Sequence, residues 1–327
     1  MRTLKCPSKK SQTTGSTLTK RRRSATTDST YLERVNLAID HILAHLHEPV
    51  RLTKLAKIAM LSPYHFHRVF QAMVGETPSD FSKRLRLEKA IGLMAFGKRR
   101  SLTEIAFDCG FASSSDFSRA FRQRFGLPPR AFDVDVWRRT HGEDLRSIAE
   151  KEAAQARLAK MPGRDNPDGF SVRLRELPAR YVAYIRVDNP YHGDAVVRAT
   201  QRLIEWADRH GFASNQWLGY QWENPEITQL TDCRYFTAVE VPSKDAFRPR
   251  GEIGRYRFAP MLVAQIDLDG SIDVELRALQ WLYGVWLPRS RYVPDDQPCF
   301  EAWVGKPFAH GLKRFVLGVQ LPVRARR

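Results

Sequence analysis

The sequence predicts a multidomain protein: an all-α module built from a repeated helix-turn-helix, followed by an α+β domain with two pseudo-symmetric halves. Three observations carry that reading. A repeat with a register of 50 to 51 residues occupies residues 50–132. After residue 170 the apolar pattern changes from helical spacing to a mixture of helix and strand. The positive charge lies ahead of that change.

The chain has 327 residues, room for two domains of roughly 100–200 residues each. Of the net charge of +17, residues 1–30 carry +7, residues 31–140 another +7, and the rest only +3. A basic front half beside a near-balanced rear half suits a polyanion-binding module joined to something else. Charge alone fits DNA, RNA or anionic lipid. No stretch approaches the roughly 20 apolar residues of a membrane span, and the N-terminus lacks the apolar core of a signal peptide. A cytoplasmic protein with no membrane partner is expected. Cys6, Cys109, Cys233 and Cys299 form no CxxC pair, so their spacing spells neither a metal site nor a disulfide framework. No cofactor motif is present.

Residues 1–30 are rich in Ser, Thr, Lys and Arg and poor in large apolar residues, so they are expected as a disordered basic tail. From Tyr31, the residues Val35, Ile39, Ile42 and Leu46 recur at helical spacing, and Pro49 closes the segment. The repeat follows. Leu52-Thr53-Lys54-Leu55-Ala56 aligns with Leu102-Thr103-Glu104-Ile105-Ala106, and Phe66-His67-Arg68-Val69-Phe70 with Phe117-Ser118-Arg119-Ala120-Phe121. Gly75, Pro78 and Phe81 align with Gly126, Pro129 and Phe132. A repeat of this length is one supersecondary unit used twice. Each unit reads as helix, tight turn, helix. Ser62 and either Ser113 or Ser114 are placed to cap the second helices, and Gly110 suits a left-handed turn.

The phenylalanines take the inner faces. The outer face of the first unit's second helix then holds Tyr64, His65, His67, Arg68 and Gln71. In the second unit it holds Ser114, Ser115, Ser118, Arg119, Arg122 and Gln123. Arginine pairs bidentately with guanine in the major groove, while Ser, Gln and His supply smaller donors and acceptors. A solvated helix face explains any one of these residues. Two matching faces in one repeat favour DNA.

With those residues in view, residues 31–139 resemble the DNA-binding domain of the AraC/XylS family. The second unit carries most of the likeness, from Ile105-Ala106-Phe107-Asp108-Cys109-Gly110-Phe111 to Phe125-Gly126-Leu127-Pro128-Pro129-Arg130-Ala131-Phe132. The resemblance implies two helix-turn-helix units joined by a long helix over residues 79–96, with Leu85, Ala90 and Leu93 inward. Matching positions point to Tyr64, His67 and Arg68 as base readers in the first unit, with Ser114, Ser115, Ser118 and Arg119 in the second. Three short serines make the second readout thin, so that unit is expected to grip mainly phosphate, through Arg122 and Arg124.

Residues 140–169 read as a linker, with a charged helix over residues 143–160 and a break dense in turn formers over residues 161–169. In the rear domain, residues 170–325, strands are expected near 172–177, 182–187, 233–241, 260–268, 299–304 and 314–323. Helices are expected at 194–210 and 272–286. Six of the seven tryptophans fall here.

Asn224-Pro225-Glu226, Cys233-Arg234-Tyr235, Trp286-Leu287-Pro288-Arg289-Ser290, Pro298-Cys299-Phe300-Glu301-Ala302-Trp303 and Leu321-Pro322-Val323 make the rear domain resemble the GyrI-like effector-binding domain. That likeness implies pseudo-symmetric halves around an aromatic cleft in which a glutamate, here Glu301, meets flat cations. The cleft is expected to draw on Trp217, Trp222, Tyr256, Trp281 and Trp303. Trp303 stands where the family usually has Tyr, and Arg291 where it has Gly. The function so implied is transcription regulation by sequence-specific DNA binding under a small-molecule effector, with duplex DNA, the effector and RNA polymerase as partners. Two other readings stand beside it: an activator whose rear domain recruits a protein partner, and a small-molecule hydrolase with Glu301 as general base.

Overall fold

The computed structural model describes residues 15–96, 100–134, 136–137, 166–225 and 228–326, with side chains from Ser29 onward. The charged helix expected over residues 143–160 lies outside them.

The front half is helical: α1 Gly15–Ala44, α2 Leu52–Ile58, α3 Pro63–Val74, α4 Pro78–Phe96, α5 Leu102–Asp108 and α6 Ser114–Phe125. The first of these begins inside the segment expected to be disordered. Burial of Val35, Ala38, Ile39 and Ile42 fixes its C-terminal half, and once a helix is nucleated, each added residue gains a hydrogen bond at small further cost. The joining helix α4 buries Leu85 and Ala90, and Leu93 is half-buried, as the resemblance implied. Gly110 is left-handed, φ 80°. A Cβ there would lie 2.6 Å from the carbonyl oxygen of His47, so only glycine lets the turn of the second unit close onto the chain just past α1.

The rear half is one antiparallel sheet, described over nine strands: β1 Arg173–Leu177, β2 Arg180–Asp188, β3 Trp217–Gln221, β4 Arg234–Val241, β5 Ile253–Phe258, β6 Met261–Gly270, β7 Tyr292–Pro294, β8 Phe300–Trp303 and β9 Phe315–Ala325. Their order is β1-β6-β9-β8-β3-β4-β2-β5, with β7 also on β9. Two residues link β1 to β2, which stand first and seventh in that order, so the sheet must curl to bring its ends together. Helix α7, Ala195–His210, lies over β2 and β4. Helix α8, Ile272–Trp281, lies over β6 and β9 and continues through a wider turn at Leu282–Trp286. The central pair β3–β8 therefore runs along the seam between the two helices.

Strand alternation gives the sheet two apolar faces. Ala183, Ile185, Trp217, Val239, Ile266 and Trp303 pack under α7 and α8. On the other face Tyr184, Tyr220, Phe236, Phe258 and Phe300 join a single cluster with Val35, Ile39, Phe66, Phe70 and Phe81 of the first helical unit. The second unit has its own core around Phe117, Phe121, Phe125 and Phe132. The aromatic ladder of the sheet is thus covered by helices from the front of the chain.

Polar contacts cross the same boundary. Tyr184 donates to Asp40 Oδ1 at 2.6 Å. Arg84 of α4 is 4% exposed and bonds Glu76 at 2.7 Å, Glu88 at 3.2 Å and Glu223 of the rear domain at 3.4 Å. Arg234 shares Glu223 at 3.4 Å and donates to the carbonyl of Val74 at 3.0 Å. Burial works against the Arg84 cation, but Glu88, Glu223 and Glu76 outweigh it and raise its pKa.

Candidate DNA interface and sensor site

The helical units present their outer faces because their inner faces are saturated with aromatics. In α3, Phe66, Phe70 and Val74 are buried, and the helix is capped by Ser62, whose hydroxyl accepts from the His65 amide at 3.3 Å. Tyr64, His65, Arg68 and Gln71 are exposed and His67 is half-buried. Tyr64 is 72% exposed, and its hydroxyl accepts from Arg68 Nη1 at 3.1 Å. Ser113 caps α6, accepting from the Asp116 amide at 3.1 Å. There Ser115, Arg119, Arg122 and Gln123 are exposed, and Ser114 and Ser118 half-buried. All eleven outer-face residues named from the sequence lie on outward faces of these two helices. Arg119 leans 3.5 Å from Asp116, and Arg124, in the last turn of α6, meets Asp232 of the rear domain at 3.0 Å.

The residues expected to line an aromatic cleft divide between the two faces of the sheet. Glu301, Trp217 and Trp303 lie on the face under α7 and α8, and Trp281 packs onto that face from α8. Trp222 and Tyr256 stand on the opposite face, within 5.8 Å of each other and packed toward the front helices. Strand parity decides this: Trp222 follows Leu218 and Tyr220, whereas Trp217 has the opposite parity.

Around Glu301 the sheet register assembles a compact acidic site. Gly219 of β3 faces Glu301 of β8 across the seam. Tyr235 of β4 reaches over Gly219 and donates its hydroxyl to Glu301 Oε2 at 2.6 Å. A Cβ at Gly219 would collide with both the tyrosine hydroxyl and the carboxylate, so glycine is what makes the bond possible. Glu275 of α8, 5% exposed, completes the group. Burial raises the pKa of Glu301, opposed by hydrogen bonds from Tyr235 and Trp303. Burial, and then the neighbouring Glu301 charge, raise Glu275 well above the usual carboxylate range. Among the described residues no arginine, lysine or histidine forms an ion pair with either acid. Such a pair is costly to ionise unless a cation arrives.

Tyr235, Gly219 and Glu275 were not singled out as site residues in the sequence. Their signals are local: a glycine within the aromatic strand Trp217–Gln221, and a carboxylate on the buried stripe that α8 shares with Ala278 and Trp281. A cavity of about 370 Å³ lies elsewhere, at the β1–β2 turn, lined by Arg175, Arg180, Gln216, Glu240 and Gln320. Its buried cation is already compensated: Arg180 meets Gln320 at 3.3 Å and Glu240 at 3.5 Å and stacks 4.6 Å from the Phe300 ring.

Fold and site together define a protein with a helix-turn-helix front and a small-molecule-binding rear. Residues 55–133 match the family model of the helix-turn-helix domain, and residues 170–324 that of the GyrI-like small molecule binding domain. The chain joins an AraC-type helix-turn-helix region to a C-terminal GyrI-like domain. It is similar to the probable transcriptional regulator LumQ of Photobacterium leiognathi, 32% identical over 111 residues, which make 33% of this chain and 44% of that protein. It is also similar to the transcriptional activator RhaS of Escherichia fergusonii, 38% identical over 102 residues, 30% of this chain and 36% of that one. A solved AraC-type regulator from Chromobacterium violaceum matches at 29% identity, covering 30% of this chain and 86% of that chain, with a TM-score of 0.28. The chain spans less than half the length of these two curated relatives.

Proposed function

We propose that the chain is a DNA-binding transcription regulator whose rear domain senses a flat, lipophilic cation at Glu301. In this reading α3 and α6 enter successive major grooves. Tyr64, His67, Arg68 and Gln71 face the bases in the first, Ser114, Ser115, Ser118 and Arg119 in the second, and Arg122 takes a phosphate. One observation carries the sensing half: two interacting carboxylates, the buried Glu275 and the half-buried Glu301, meet at the helix seam with a tyrosine donor and no cationic side chain paired to them among the described residues. A cation entering the seam would supply the missing counter-charge, and the indoles of Trp217, Trp281 and Trp303 offer apolar area and cation attraction.

Tryptophan fluorescence of the full chain, titrated with the planar cation 10-methylacridinium and with its neutral counterpart acridine, tests this. Glu301→Gln keeps the shape and removes the charge. It should weaken the cation by about 1–3 kcal/mol, the range for a charged hydrogen-bond partner, and leave the neutral compound nearly unchanged. Equal loss of both ligands would make Glu301 a structural residue. Slow consumption of an electrophilic ester in the same cuvette would favour the hydrolase reading.

A further inference from the structure

We propose that the segment Asp232-Cys233-Arg234-Tyr235 couples the sensor site to the DNA-binding face, with Asp232 withholding Arg124 from DNA in the resting chain. It rests on the reading just given, in which α6 faces DNA and Glu301 senses the effector.

The argument begins with strand geometry. Arg234 and Tyr235 open β4 and, as neighbours in a strand, point to opposite faces of the sheet. Tyr235 therefore reaches Glu301 at 2.6 Å on the sensor face. Arg234, one residue earlier, grips the front of the chain. It donates to the Val74 carbonyl at 3.0 Å, lies 3.5 Å from Glu76, and shares Glu223 with Arg84 of the joining helix. Asp232 closes the short turn Leu230–Asp232, and its own carbonyl accepts from Arg234 Nη1 at 2.7 Å, which ties the turn to the strand. Its carboxylate meets Arg124 Nη2 at 3.0 Å.

Four consecutive residues thus hold the sensor acid, the joining helix and a cation of the second recognition helix. Strand β4 is hydrogen-bonded on both sides, by β2 and β3. A displacement at Tyr235 is accordingly passed along the strand instead of being absorbed by bending. Asp232 and a DNA phosphate compete for the same guanidinium. The Arg124 and Asp232 side chains are 34% and 33% exposed, so the intramolecular pair is weak and a phosphate can displace it.

Fluorescence anisotropy of the full chain on a duplex selected by the wild type tests both parts. Asp232→Asn should bind about two- to fivefold tighter, the effect of removing one half-exposed ion pair. Its dependence of log affinity on log salt should match that of the wild type, since both make the same phosphate contact once DNA has displaced Asp232, whereas Arg124→Ala should be shallower by about 0.9. Arg124→Ala and the double variant Arg124→Ala/Asp232→Asn should bind alike. Tyr235→Phe keeps the ring and loses the bond to Glu301. It should move DNA affinity toward that of Asp232→Asn and add nothing in that background. An Asp232→Asn chain that binds no tighter than wild type overturns the withholding contact. If Asp232→Asn tightens binding but Tyr235→Phe leaves affinity untouched, the coupling is overturned while the contact stands. Wild-type chain that binds no duplex refutes the DNA reading itself, and the inference falls with it.

Discussion

Arg68 and Arg122 sit on similar helical faces and are expected to do different work. Arg68 is braced by the Tyr64 hydroxyl one turn away, with its guanidinium 5.8 Å from that ring, so less rotamer freedom is lost when it meets a base. Arg122 is exposed in the last turn of α6, with no ion-pair partner among the described residues. Arg68→Ala should cost about 1–3 kcal/mol and relax preference at a single base pair, whereas Arg122→Ala should weaken all sequences alike and lower the salt slope by about one. Binding to a set of singly substituted duplexes separates the two, and an unchanged specificity profile for Arg68→Ala would reassign it to phosphate. These side chains were legible in the sequence because a recognition face is what remains once the phenylalanines of one helix are placed inside. Glu301 was legible only through its surrounding motif. Its partners were not, since Gly219, Tyr235 and Glu275 are distant in the chain and only the register of β3, β4 and β8 brings them together.

At the scale of elements, the contact of α1 with the sheet is where solution conditions should act. Asp40 on α1 is half-buried with a carboxylate oxygen turned into the interior, and burial pushes its pKa up to about 8, partly offset by the Tyr184 hydrogen bond and by Arg186 and Arg255. Tyr184, Tyr220 and Tyr256 face it from the sheet, and burial raises each of them in turn. Because the folded chain holds this proton and the unfolded chain releases it near pH 4, Asp40 makes stability fall as pH rises between about 4 and 8. Above that window the ionised carboxylate must be held in an apolar setting or the contact must open. Asp40→Asn keeps an acceptor for Tyr184 and removes the titration, so its thermal midpoint should exceed that of wild type at pH 9 and change less between pH 6 and 9. A parallel decline in both chains would show that Asp40 is solvated. The long strands β2, β4, β6 and β9 and helices α7 and α8 followed from periodicity. The short strands β3, β5 and β7 did not. Glycine interrupts two of them, β7 has three residues, and their strand character comes from neighbours in the sheet.

For the molecule as a whole, the apolar cluster shared by the first helical unit and the sheet outweighs the linker as a description of how the halves are joined. Charge distribution and texture marked two modules, and both were found, but nothing in a linear pattern states that one module's outer wall is the other's core. A fragment ending at residue 139 would strip the sheet from Val35, Ile39 and Phe81. It should melt well below the full chain and bind a dye that reports exposed apolar surface. The full chain should bind little of that dye. A fragment as stable as the full chain would show that the first unit closes its core unaided.

The interlocked boundary also limits how such a chain can be rebuilt. Exchanging the rear domain for another sensor, with the splice placed anywhere in residues 140–169, would respect the modular sequence but cut through a shared interior. The incoming domain would need to bring an aromatic wall for α1 and α3, an acceptor for Arg84 in place of Glu223 and a cation in place of Arg234. Functional grafts should therefore carry the sheet face along with the ligand site, and new effector specificity is more readily written into the few residues around the β3–β8 seam than imported as a whole domain.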